Sequence, residues 1–178
     1  MNKTNKFLPY SRQEVTEEDI QNVVNVLRSD YLTQGESVPL LEKSISNKVR
    51  SKYCVAVNSA TSALHLSCLA LGLTNKDILW TSPNSFVASA NCGQYCGADI
   101  DFVDIDPNSG LIDIDLLRNK LAKAKVVNKL PKILIPVHFA GVSCDMEQID
   151  SLSKEYGFLI IEDASHALGG KYLSLIHI

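Results

Sequence analysis

An α/β fold, a three-layer sandwich with a mostly parallel sheet, is predicted for this 178-residue chain by three features. Short β-branched runs alternate with segments of helical period. The runs are apolar at successive positions, so both faces of each strand should be covered, as in parallel sheets packed between helices. The segments joining them are long enough for helical crossovers, which are right-handed in nearly all βαβ units.

Each element has its own signal. Thr16 followed by Asp19 reads as the capping box of a first helix, with Ile20, Val23, Val24 and Leu27 on its apolar face. Leu41, Ile45 and Val49 mark a second helix. Strands are predicted at 53–57, 78–81, 100–103, 133–137 and 158–161. Between them, helices are predicted near 59–71, 86–95, 113–124 and 146–156.

Charge and composition remove several functions. Seventeen basic against 20 acidic side chains leave a net charge of −3, which disfavours nucleic acid. The cluster Lys120, Lys123, Lys125, Lys129 and Lys132 lacks interleaved aromatics and should be a solvated helix face and loop. No run is long and apolar enough to span a membrane, and residues 1–15 lack a secretory core, so a cytoplasmic protein is expected. The cysteines at 54, 68, 92, 96 and 144 are odd in number and irregularly spaced, and should be reduced thiols. Neither Cys92 with Cys96 nor His65 with Cys68 has a second pair at zinc-site spacing, so no metal is expected.

Ligands of open parallel sheets sit beyond the C-terminal strand ends. Asn58-Ser59-Ala60-Thr61-Ser62 leads from a strand into a helix, where free N–H groups and hydroxyls suit a phosphate, although plain N-capping uses the same residues. Asp163 follows an apolar run and needs a partner, either a cationic ligand nitrogen or a structural salt bridge. His166 could reach a neighbouring ligand oxygen, Phe86 could stack on a planar ring or belong to the core, and His138 ends a strand uncommitted. Asp104-x-Asp106-x-Asn108 imitates a calcium loop, but its glycine is one place late and Pro107 intrudes, so a turn leading to Asp113 as N-cap is expected. Gly170-Lys171 lacks the leading glycine of a phosphate loop, and no G-x-G-x-x-G supports a nicotinamide dehydrogenase.

Four segments in this order and spacing resemble one family. They are Asn58-Ser-Ala-Thr-Ser-Ala-Leu64, Ser82-Pro-Asn-Ser-Phe-Val-Ala-Ser-Ala-Asn91, Pro136-Val-His-Phe-Ala-Gly141 and Glu162-Asp-Ala-Ser-His-Ala-Leu-Gly169, with Tyr31-Leu-Thr-Gln-Gly35 upstream. The chain resembles the DegT/StrS sugar-nucleotide aminotransferases from about Phe7 to Tyr172. The resemblance implies an incomplete large domain of a fold-type I pyridoxal-phosphate enzyme. It places phosphate binding on Thr61 and Ser62, ring stacking on Phe86, the pyridine nitrogen against Asp163 and the ring oxygen near His166. Tyr31 and Thr33 are the substrate-binding candidates.

The wording is most like the branch acting in pseudaminic acid biosynthesis. That branch implies a transaminase that aminates C4 of a UDP-4-keto-6-deoxy-N-acetylhexosamine, with glutamate as donor, working as a homodimer. The family's Schiff-base lysine is expected beyond the end of this chain, and so is the small C-terminal domain, so that 1–172 should be part of the large domain and inactive alone. Residues 173–178 depart from the family pattern and are expected to be non-native. The alternatives are a sugar 3-dehydratase of the same family, with His for that lysine, and a non-catalytic cofactor-binding or regulatory relative.

Overall fold

The computed structural model describes residues 12–172 and the backbone of 175–176. Contacts divide the chain into two compact units, 1–41 and 42–178. In the first, α1 (Glu17–Leu27) starts at the expected capping box: Thr16 Oγ1 accepts from Asp19 N, and Asp19 accepts from Thr16 N. Residues 1–11 of the polar N-terminal segment lie outside the described residues. Helix α2 (Ser37–Val49) crosses the division between the units and buries Val49.

The second unit holds the sheet. Its elements in order are α3 (Ala60–Ala70), β1 (Ile78–Thr81), α4 (Ala88–Tyr95), β2 (Asp99–Phe102), α5 (Ile114–Val126), β3 (Ile133–Ile135), α6 (Met146–Tyr156) and β4 (Leu159–Ile160). The strands pair in the order β2-β1-β3-β4, all parallel. Three helices start at side-chain caps: Ser59, Asp113 and Asp145 each accept from the backbone N–H three residues on.

Alternation along the strands sends side chains into two cores. Leu79, Ile133 and Ile135 pack with Leu64, Cys68 and Cys92 of α3 and α4. Trp80 and Leu134 point the other way, onto Leu117, Leu121, Ile149 and Leu152 of α5 and α6. The sheet is therefore covered on both faces, as strands apolar at successive positions require.

Several expectations are corrected. The predicted strand at 53–57 does not form: the segment pairs with no strand among the described residues, and Tyr53 and Val55 are about three-quarters exposed. An apolar run becomes a strand only where a neighbour accepts its backbone bonds, and here a side chain does so instead: Ala56 N donates to Glu42 Oε1 at 2.8 Å. The lysine cluster is not uniformly solvated. Lys120 pairs with Asp101 at 2.7 Å and lies over the Trp80 ring, and Lys132 pairs with Asp77 at 3.0 Å.

Among the described residues all five cysteines are free, with Cys68, Cys92 and Cys144 buried. The Asp106 carboxylate closes a turn by accepting from Asn108 N and Ser109 N, and Asp113 caps α5. Of the segment 173–178, only the backbone of 175–176 is described: β6 (Leu175–Ile176) pairs antiparallel with β5 (Lys171–Tyr172). No helix among the described residues is long and apolar enough to cross a membrane.

Candidate cofactor site

The chain runs outward from β1 to the edge strand β2, then crosses back to place β3 on the other side of β1. This reversal opens a crevice beyond the C-terminal ends of β1 and β3, where the loops leave in opposite directions. A cavity of about 290 Å³ lies there, walled by Thr61 and Leu64 of α3, Ser85 and Phe86 after β1, His138 and Phe139 after β3, and Asp163 and His166 after β4.

Asp163 forms the buried polar end, with only 8% of its surface exposed. Backbone bonds fix it: Asp163 N donates to Pro136 O and His138 N to Asp163 O, extending the β3–β4 pairing by one bridge to Val137. Ser89 Oγ donates to its Oδ2 at 2.6 Å, and Ser165 Oγ to its Oδ1 at 2.6 Å. No Lys, Arg or His among the described residues forms an ion pair with it. The structural salt bridge expected as one of its two partners is thus not formed here, and hydroxyls take its place.

Phe86 is 74% exposed, so it is not core, and it lines the cavity. At the start of α3 the Ser59 hydroxyl takes Ser62 N. The N–H groups of Ala60 and Thr61, the first two of the helix, have no intrahelical acceptor, and both residues line the cavity. Ser62 turns elsewhere, its hydroxyl donating to Asn58 Oδ1 at 2.7 Å.

The structure thus gathers Thr61, Phe86, Asp163 and His166 round one cavity, with Ser62 one step behind. Tyr31 and Thr33 lie in the first unit, both exposed, and Tyr31 lines a separate cavity made by residues of that unit.

Sequence reasoning passed over Ser89 and left His138 open. Ser89 sits one helical turn after Ser85 in a stretch of small residues that otherwise reads as packing, and spacing was its one available signal. His138 is fully buried, with Nδ1 accepting from Cys144 N at 3.2 Å and Nε2 2.8 Å from Glu162 Oε2. An acceptor Nδ1 leaves the ring proton on Nε2, donated to the carboxylate, so His138 holds the loop after β3.

An electron-poor aromatic ring bearing a phosphate and a protonated ring nitrogen fits this donor set of helix N–H groups, a buried carboxylate and an exposed aromatic side chain around one cavity. The chain belongs to the DegT/DnrJ/EryC1/StrS aminotransferase family, whose model matches residues 13–174.

Among its relatives is the UDP-4-amino-4,6-dideoxy-N-acetyl-beta-L-altrosamine transaminase of Campylobacter jejuni subsp. jejuni serotype O:2. It is 40% identical over 168 residues, covering 94% of this chain and 43% of that protein. Among solved structures, Helicobacter pylori PseC, an aminotransferase involved in the biosynthesis of pseudaminic acid, superposes with a TM-score of 0.86 at 33% identity, covering 96% of this chain and 45% of that one. Spr1654 from Streptococcus pneumoniae, solved in a PLP form, gives 0.81 at 30% identity over 91% of this chain and 44% of that one. The chain therefore spans well under half the length of the relatives it matches.

Proposed function

We propose that this chain is the cofactor-binding part of a pyridoxal-phosphate-dependent sugar-nucleotide aminotransferase, residues 1–172 belonging to the large domain. The observation that carries this is Asp163, a buried carboxylate with hydroxyl partners and no cationic side chain paired with it among the described residues, lining one cavity with the exposed Phe86. A carboxylate so placed favours a cationic ligand nitrogen.

When bound, pyridoxal phosphate supplies an electron sink for cleavage of a C–H bond. The chain's own residues prepare the site for it. Asp163 holds the proton on the ring nitrogen, Phe86 stacks on the ring, and His166 bonds the ring oxygen. The start of α3, with Thr61, takes the phosphate, and Ser62 joins once its hydroxyl leaves Asn58. The relatives' names support a UDP-linked 4,6-dideoxy-N-acetylhexosamine aminated at C4 in pseudaminic acid biosynthesis; the 4-keto-6-deoxy sugar as acceptor and glutamate as donor are part of the same proposal. Tyr31 and Thr33 are proposed to contact substrate in a cytoplasmic homodimer of the longer protein.

The test uses the full-length protein. Asp163→Ala should lower kcat about 100-fold or more, since electrostatic groups at a reacting centre carry factors of that size, while leaving cofactor affinity less affected. Thr61→Ala should raise the cofactor Kd roughly tenfold, as loss of a bond to a charged group does. An Asp163→Ala variant with wild-type turnover overturns the assignment.

A further inference from the structure

A carboxylate rotates about its own bond, yet presenting one edge to a ligand nitrogen requires a fixed plane. Around Asp163 the fixing groups are hydroxyls, and their protons can be placed. A serine hydroxyl has one proton. That of Ser89 goes to Asp163 Oδ2, so the 2.6 Å contact between Ser85 and Ser89 runs the other way, with Ser85 donating. The result is a directed chain, Ser85 to Ser89 to Oδ2, running from the cavity wall through a residue 1% exposed. On the other side Oδ1 accepts from Ser165 Oγ at 2.6 Å and from Ser165 N at 3.3 Å.

A carboxylate offers about four acceptor sites. Those on Oδ1 are both taken and one on Oδ2 is taken, which leaves a single site on Oδ2. Neutral donors also leave the negative charge uncompensated, whereas a lysine or arginine here would compete with a cationic ligand for it.

We propose that Ser89 and Ser165 are positioning residues that clamp Asp163 from two sides, with Ser85 directing the Ser89 hydroxyl, so that Oδ2 is the oxygen that meets the ring nitrogen of the cofactor. This rests on the function proposed above. The clamp ties α4 to the loop after β4 across 74 residues of sequence, so it exists only in the folded chain.

The test uses full-length holoenzyme carrying Ser89→Ala, Ser89→Thr, Ser165→Ala or the alanine pair. Ser89→Ala should lower kcat roughly 10- to 100-fold, the range for losing a bond to a charged group, with KM for substrate and Kd for cofactor changed less than threefold. The pH titration of the bound cofactor's visible spectrum should shift in the same variant, because the ring nitrogen's partner is no longer fixed. Ser89→Thr keeps the hydroxyl and should restore both. Ser165→Ala, at an exposed residue, should show a smaller loss of the same kind. It decides the matter if Ser89→Ala does not fold. A role in packing alone would lower Tm and cofactor retention and leave the spectral titration as in the wild type, and that result overturns the clamp. So do wild-type kcat and spectrum in both single alanine variants while Asp163→Ala is inactive, which leaves the proposed function standing. A wild-type protein that binds no pyridoxal phosphate removes both.

Discussion

The cysteines differ in reactivity because their surroundings differ. Burial pushes the Cys144 thiol up to about 11, and Cys68 is raised first by its hydrogen bond with Cys92 and then by burial. Cys96 is half-buried and raised by burial, whereas Cys54 is half-buried and packed in neither core. Since the thiolate is the reactive form, iodoacetamide at pH 8 should label Cys54 first and Cys96 more slowly. Cys68, Cys92 and Cys144 are buried beyond the reagent's reach, Cys92 included although its hydrogen bond with Cys68 lowers its pKa, so they should label only after denaturation. Peptide mass spectrometry reads the order, and rapid native labelling of Cys144 would contradict it. Single residues were only partly legible in the sequence. Asp163 was legible because a charge after an apolar run demands a partner. Phe86 was not, because an aromatic at the start of a helix reads equally as core or as a stacking surface, and only its exposure separates the two.

Elements whose signals are local were readable to within about two residues, and two of them to the residue. Strand β1 and helix α6 occupy the predicted spans, and the caps at Thr16, Ser59 and Asp113 lie where side-chain chemistry puts them. The segment at 53–57 shows the limit, since its backbone needs a partner that no local pattern supplies. Contacts between elements set a further constraint at Gly93 in α4. A Cβ there would lie 2.5 Å from Ile100 Cδ1 and 3.1 Å from Leu79 Cδ1, so the missing side chain lets α4 approach β1 and β2. Gly93→Ala gains about 1 kcal/mol of helix propensity and loses about 1–3 kcal/mol to overpacking. A net loss of about 1 kcal/mol is expected in urea denaturation. Ile100→Val removes the nearest clashing methyl and should return most of it. An equally stable Gly93→Ala would mean that the sheet gives way freely.

At the scale of the molecule, several carboxylates link stability to pH in the same direction. Gln148 bonds hold Asp145 below its ordinary range, and Ser109 and Asn108 hold Asp106 there. For Asp77 burial pulls upward, but Thr74 and Lys132 outweigh it and the net shift is downward. Each group has a native pKa below its unfolded one, so its contribution is complete above the ordinary value of about 4 and disappears as pH falls through the native value. Thermal melts should therefore show Tm falling steeply below about pH 4. Asp145→Asn keeps a capping oxygen without the charge, so its Tm deficit should shrink between pH 6 and pH 3. A constant deficit would place the effect in geometry instead.

The sequence by itself determined the α/β class, the positions of most elements to within about two residues and the strand ends where a ligand belongs, because periodicity, capping and burial of apolar runs act within a few residues. It also carried the four segments by which the family resemblance was read. Tertiary structure decided the strand order β2-β1-β3-β4 and the crevice its reversal opens. It also decided the exposure of Phe86 and the hydroxyl partners of Asp163, one of them 74 residues away. Those outcomes depend on which distant backbones and side chains come to share a surface, and no local pattern encodes that.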